Sequence, residues 1–179
     1  AHTREGRPES EWEPLEEHLG KVSELAGRFS AVLASSDWGR LAGLWHDLGK
    51  YHPSFQSRLC DPTIAQPHAG AGAALALEKN ARLGLFLAWI IAGHHTGLAN
   101  RIESGENLPK PLQQRLEDAR ENELASARSN IPTILVSHQV PPPPSFVLDK
   151  NLSQDEVGLR LDLWIRFLFS ALVDADRLA

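Results

Sequence analysis

Apolar residues recur along this chain at the spacing of a helix and nowhere alternate at the spacing of a strand, which confines it to all-helical folds. Leu15, Leu19, Val22, Leu25, Ala26, Phe29, Val32 and Leu33 predict an amphipathic helix over residues 14–34, with Pro14 tolerated in its first turn. Trp38, Leu41, Leu44, Trp45 and Leu48 predict a second helix, capped at Asp37 and stopped by Gly49. Residues 51–67 carry three prolines and read as a loop. The small residues from Ala69 to Leu77 predict a helix that others can approach closely. Leu83 to Ala92 is apolar on every side and is therefore the expected centre of the core. Residues 111–128, rich in Glu, Gln and Arg, predict an exposed helix, and 131–136 a short extended stretch. Pro141 to Pro144 is a stiff polyproline connection along the surface. Ser153 with Glu156 makes a capping box for a C-terminal helix whose inward stripe is Leu161, Ile165, Leu168 and Leu172. No internal repeat is visible, and the expected architecture is a compact all-α bundle.

Metal-capable residues collect at the ends of these helices. The run Leu44-Trp45-His46-Asp47-Leu48-Gly49-Lys50 puts an imidazole and a carboxylate on adjacent residues, followed by a cation. His18 lies near the start of the first helix, His68 opens the small-residue helix, and His94-His95 follow the most apolar one. Two histidines at the end of a buried helix are costly unless ligated or hydrogen-bonded. Counting four from Leu172 puts Asp176 on the inward stripe, whereas Asp174 continues Leu163, Phe167 and Ser170 and is the less favoured carboxylate. Such a set suits a two-metal hydrolase with the metal site between helices. Paired cations sharing a carboxylate stand about 3.5–4 Å apart and polarise a phosphoryl oxygen. Asp47, held beside His46, is the expected bridge. A nitrogen-rich shell favours a transition metal such as Mn, Fe, Co, Ni or Zn over Mg.

Each candidate has a plainer alternative. His18 could instead bond Glu17 or Glu24, His68 could cap a helix, and Lys50 could complement a helix C-terminus rather than a phosphate oxygen. His52 and His138 are expected to be solvated loop residues, and His2 to be disordered. Trp12, Trp38, Trp45, Trp89 and Trp164 are expected in the core. Phe55, in the loop after Lys50, is the one aromatic placed to meet a nucleotide.

The net charge of −5 argues against a freestanding nucleic-acid binder, because Lys and Arg supply most non-specific affinity for phosphates. Two divalent ions would leave about −1 and concentrate positive charge at the site. Cys60 is the only cysteine, which rules out a disulfide framework or thiolate cluster and makes a reducing, cytoplasmic setting the expectation. The longest apolar run, residues 83–92, is far below the roughly 20 residues a bilayer requires, and no signal peptide is visible. The 179 residues fit one domain. The chain ends inside an apolar helical pattern with no cap or polar tail, so it reads as a piece of something larger.

The order His18, His46-Asp47 with Lys50, His68, His94-His95 and a C-terminal Asp resembles the HD superfamily of metal-dependent phosphohydrolases. More narrowly, the segments 46–56 (His-Asp-Leu-Gly-Lys-Tyr-His-Pro-Ser-Phe-Gln), 68–73 (His-Ala-Gly-Ala-Gly-Ala), 93–98 (Gly-His-His-Thr-Gly-Leu) and 172–178 (Leu-Val-Asp-Ala-Asp-Arg-Leu) resemble the N-terminal HD nuclease domain of the type I CRISPR-associated nuclease-helicase. The likeness is weakest over residues 99–152. It implies one metal on His18, His46, Asp47 and Asp176 and another on Asp47, His68, His94 and His95, with Lys50 as the motif lysine. It implies cleavage of single-stranded DNA, coupling to a superfamily 2 helicase and recruitment by an RNA-guided surveillance complex. The chain carries no Gly-x-x-x-x-Gly-Lys loop, so a single HD domain over 1–179, without the helicase, is expected. A nucleotide or cyclic-dinucleotide phosphohydrolase is the first competing expectation. Thr96-Gly97-Leu98 after the His pair, where the cyclic-dinucleotide subclass has Glu, counts against part of it. The second is a non-catalytic HD scaffold.

Overall fold

A computed structural model of the chain describes residues 11–101, 103 and 110–179, and among these the regular structure is helical throughout. His2 lies outside the described residues. Helix α1 (Leu15–Ser30) runs on into a 3-10 turn (Ala31–Leu33), then reverses at Ala34 (φ 49°) into α2 (Ser36–Trp45). After a second 3-10 turn (Leu48–Tyr51) come α3 (Pro53–Cys60), α4 (Ala71–Lys79) and α5 (Gly84–Gly93). Helix α6 (Leu112–Ala119) continues through a π turn (Arg120–Leu124) into α7 (Ala125–Ala127). The short α8 (Thr133–Val136) and the long α9 (Gln154–Leu178) complete the bundle.

The strongest packing is α1 along α2, with α9 laid across both, and α4 along α5, whose free face meets α9. Leu19, Val22, Trp45, Leu48, Leu87, Ile90, Ile91, Leu168 and Leu172 close the space between these two layers. The three fully buried tryptophans also fasten connections, since a buried indole N–H must find an acceptor. Trp45 donates to Leu135 O (2.8 Å), Trp164 to Ser35 Oγ (2.8 Å) and Trp38 to Pro142 O (3.0 Å), which ties the polyproline segment down. Gly72 lets α4 touch the end of α2: a Cβ there would collide with Trp45 O and lie 2.8 Å from its carbonyl carbon.

Five expectations need correction. Residues 51–67 are not all loop, because Pro53 takes the first helical position, where its fixed φ suits α3 and its missing N–H costs nothing. His52, expected to be solvated, caps that helix by accepting from Ser54 N at 3.0 Å. Residues 131–136 form a helical turn rather than an extended stretch, with Pro132 leading in and Leu135 buried. The 111–128 helix is less exposed than its composition predicts, since Leu112, Leu116, Ala119, Leu124 and Ala127 face the core and Glu123 is buried with them. Asp37 sits in the first turn of α2, two residues after the cap at Ser35, and so does not cap the helix. Among the described residues no helix is long and apolar enough to cross a membrane.

Candidate metal centre

Five segments deliver donor atoms to one place. His18 projects from the first turn of α1 on the buried stripe of Leu15, Leu19 and Val22. His46 and Asp47 follow α2 where the backbone leaves the helix, at φ −113° for Asp47. His68 stands just before α4, His94 and His95 just after α5, and Asp176 in the last turns of α9.

Asp47, almost wholly buried, is the centre of this set. Its Oδ2 lies 3.2 Å from His46 Nε2 and 3.7 Å from His18 Nε2, while its Oδ1 lies 3.6 Å from both His68 Nε2 and His94 Nε2. Asp176 Oδ1 closes the first side, 3.2 Å from His18 Nε2 and 3.3 Å from His46 Nε2. His95 Nε2 closes the second, 2.9 Å from His68 Nε2. The result is two donor groups with one shared member: His18, His46, Asp47 and Asp176, and Asp47, His68, His94 and His95, each with its donor atoms within 4.8 Å of one another. These are the sets that the family resemblance groups together. Asp176, four residues on from Leu172, is the carboxylate of α9 that reaches the cluster, and Asp174 is exposed.

The donor set fits a divalent metal on two physical grounds. His46 Nδ1 is 2.7 Å from Gly43 O and His94 Nδ1 is 2.6 Å from Ile91 O. A carbonyl can only accept, so in the neutral ring both Nδ1 atoms carry the proton, and each Nε2 presents a lone pair to the cluster. The buried His46 Nε2, His94 Nε2 and Asp47 Oδ1 make no hydrogen bond with any described residue, although oxygen and nitrogen acceptors face them. Lone pairs aimed at one another repel unless a proton or a metal cation lies between them. Spacing agrees: bonds of about 2.1 Å to a tetrahedral centre separate neighbouring ligands by about 3.4 Å, and the carboxylate–imidazole gaps here run from 3.2 to 3.7 Å.

The two groups differ in access. His18 and His46 are fully buried, whereas His95 is exposed and the His68 side chain is 18 % exposed. The second group therefore opens on a cleft of about 590 Å³ whose walls include Arg58, Gln66, Thr96 and Arg115. Electrostatics separates them again. Burial disfavours a charged His46, but Asp47 and Asp176 outweigh it and raise the imidazole to about 10. At His68 burial dominates, helped by Lys50 and the neighbouring histidines, and pushes the ring down to about 4. Burial alone would raise Asp47 and Asp176; the facing imidazoles hold both carboxyls well below the usual range instead.

Lys50 is nearly buried, with Nζ 2.5 Å from Asp47 Oδ2 and its carbonyl accepting from Gln56 Nε2. Its charge is therefore seated on the shared carboxylate. Phe55 is buried with its ring edge-on to His68, centroids 4.9 Å apart, so it supports a ligand candidate and offers no face for base stacking. His138 is exposed and remote from the cluster. Behind His18 stands Glu13, Oε2 3.4 Å from Nδ1, whereas Glu17 turns outward to Lys21. A carboxylate behind a ligating imidazole orients the ring. Glu13 precedes the helix, outside the window that a helical period examines, so the pattern pointed to the wrong glutamates.

Against known families, the model of the HD domain matches residues 15–128, a span holding His18, His46, Asp47, His68, His94 and His95 and ending before the helix that supplies Asp176. No curated protein matches the chain.

Proposed function

Because the chain belongs to the HD domain family, whose members are in general metal-dependent phosphohydrolases, we propose that it is a divalent-metal nuclease domain that cuts single-stranded DNA. The observation that carries this reading is Asp47, one carboxylate with a histidine set on each oxygen. In the proposed role His18, His46, Asp47 and Asp176 hold one ion and Asp47, His68, His94 and His95 the other. The ions would be Mn, Fe, Co or Ni in preference to Mg, given so many imidazoles. Motif likeness to the CRISPR-associated nuclease-helicase supports the finer assignment: an HD unit over 1–179 that works in the cytoplasm beside a superfamily 2 helicase, under an RNA-guided surveillance complex.

When bound, paired divalent ions supply Lewis acidity toward a phosphoryl oxygen and an activated water for in-line displacement. The residues of the chain do the rest. In the first group His18, His46 and Asp47 are buried and Asp176 alone is partly exposed, whereas the second borders the cleft beside His68 and His95, so the phosphodiester approaches at the second. Gly43 O and Ile91 O fix the tautomers of His46 and His94. Lys50 holds Asp47 in place and lends positive charge next to the scissile phosphate.

The deciding experiment uses circular single-stranded DNA, which exonucleases and nucleotidases leave uncut. With Mn or Co and no ATP the circle should be linearised, chelator should stop the reaction, and the rate should fall steeply with added salt, as weak binding by an acidic domain requires. Free nucleotides hydrolysed while the circle survives would replace the nuclease with a nucleotidase. Metal bound with neither substrate touched would favour a scaffold.

Ion uptake should also report on protons. In the metal-free protein at neutral pH, His46 keeps a proton that an ion in the first group must expel, whereas the neutral His68 has none to lose. First-group affinity should therefore rise about tenfold per pH unit from pH 6 to 9, and second-group affinity much less. Calorimetry in buffers of different ionisation enthalpy counts the protons, and equal release for both ions would contradict the assignment.

A further inference from the structure

Helices α4 and α5 form a hairpin joined only at the end away from the cluster. At the joined end the turn after Lys79 is held by Asn80, whose Oδ1 accepts from Arg82 N and Leu83 N, and Gly84 presses on Ala76 O. At the other end the two arms are separate, and they carry His68 and His94-His95. The 2.9 Å approach of His68 Nε2 to His95 Nε2 thus depends on whatever fixes the free ends of the hairpin.

Two side chains of the α6–π–α7 segment do so. Arg115 reaches α5 and donates from Nη2 to Ala92 O, two residues before His94. Glu123 reaches α4, where Oε2 accepts from Gly70 N at 2.9 Å; Gly70 is two residues after His68. Helix α4 has no capping side chain of its own, so Glu123 caps it from another helix. In an unbroken α-helix, residues eight apart point about 80° away from each other. The π turn at Arg120–Leu124 adds a residue to the turn and rotates Glu123 back toward the face of Arg115. Both are half or more buried, with opposite charges that favour one another.

We infer that Arg115 and Glu123 are positioning residues, a charged strap that closes the open end of the α4–α5 hairpin and sets the separation of His68 from His94 and His95. The inference rests on the reading that these histidines and Asp47 hold the second ion. It assigns a task to a part of the chain in which no motif is visible, and explains why a glutamate is buried there.

The test is ion binding in the folded protein. Co(II) is titrated by calorimetry and visible absorbance into wild type, Glu123→Ala, Glu123→Gln, and Val147→Ala as a core variant remote from the strap. Glu123→Ala should weaken the second ion about 10- to 100-fold, the range seen when an outer partner of a ligand is removed, and leave the first within about threefold. Glu123→Gln keeps an oxygen acceptor for Gly70 N and should recover most of the loss. It also carries the measurement if Glu123→Ala does not fold. Val147→Ala should lower thermal stability without separating the two affinities. Unchanged second-ion affinity in both Glu123 variants, or equal weakening of both ions, overturns the strap. A wild type that takes up no second ion overturns the two-metal reading first, and the strap with it.

Discussion

Replacing Asp47 with alanine will remove ion binding from both donor groups at once and with it all hydrolysis. The carboxylate is the only described side chain common to both groups, so no other ligand can substitute on either side. Metal catalysis supplies several kcal/mol of transition-state stabilisation, and about 4 kcal/mol corresponds to three orders of magnitude in rate. A fall of at least about 10³-fold is therefore expected. The same change leaves the Lys50 ammonium buried without its partner, which costs about 3–5 kcal/mol for a pair of this kind, so stability must be measured beside activity. Asp47→Asn separates the effects: it keeps the volume and an oxygen near Lys50 but lacks the charge that two cations require. Retention of cutting, or of two bound ions, by a folded Asp47→Asn protein would refute the shared-ligand assignment.

Gly49→Ala comes next in size, and it tests how the site is assembled rather than what it contains. From the sequence Gly49 looks like a helix stop. In the structure its φ is not positive, and its function is contact: an added Cβ would clash with His68 O and lie 2.5 Å from His68 Cα. Both are backbone atoms, which cannot swing aside as a side-chain tip can. The segment after α2 and the approach to α4 must therefore part. Overpacking of this kind costs about 1–3 kcal/mol, and more where nothing yields. A displacement of about 1 Å in a reacting assembly costs about 10²-fold in rate. Gly49→Ala should thus lower the melting temperature, weaken the ion held by His68, His94 and His95 more than its neighbour, and reduce hydrolysis at least 100-fold. Gly20→Ala gives the opposite sign: nothing lies within 4 Å of the added carbon, the position is inside α1, and the change should stabilise by about 0.5–1 kcal/mol. A Gly49→Ala protein as stable and active as wild type would mean that the close approach to His68 is dispensable.

The two substitutions mark different levels of information. Asp47 was identifiable from its neighbour His46 and from histidines at the ends of other helices, and Asp176 from a count of four along an apolar stripe. Both inferences use relations that a helix enforces within a turn or two. The role of Gly49 depends on a segment nineteen residues away, that of Glu123 on the backbone of Gly70, and that of Arg115 on Ala92. Nothing in local periodicity encodes such meetings. Helix α3 is illegible in the sequence for a related reason, since a proline in first position has the same local signature as a helix breaker.

Residue order alone was enough for the all-helical class, the main helices to within a few residues, and the list of side chains able to bind metal, because backbone hydrogen bonding and the side-chain period are local properties. Packing had to supply the rest: which oxygen of Asp47 faces which histidines, which donor group borders the cleft, and what braces the hairpin that carries three of the donors. Those depend on helices meeting side to side, where the partner of each residue is set by shape and burial rather than by its distance along the chain.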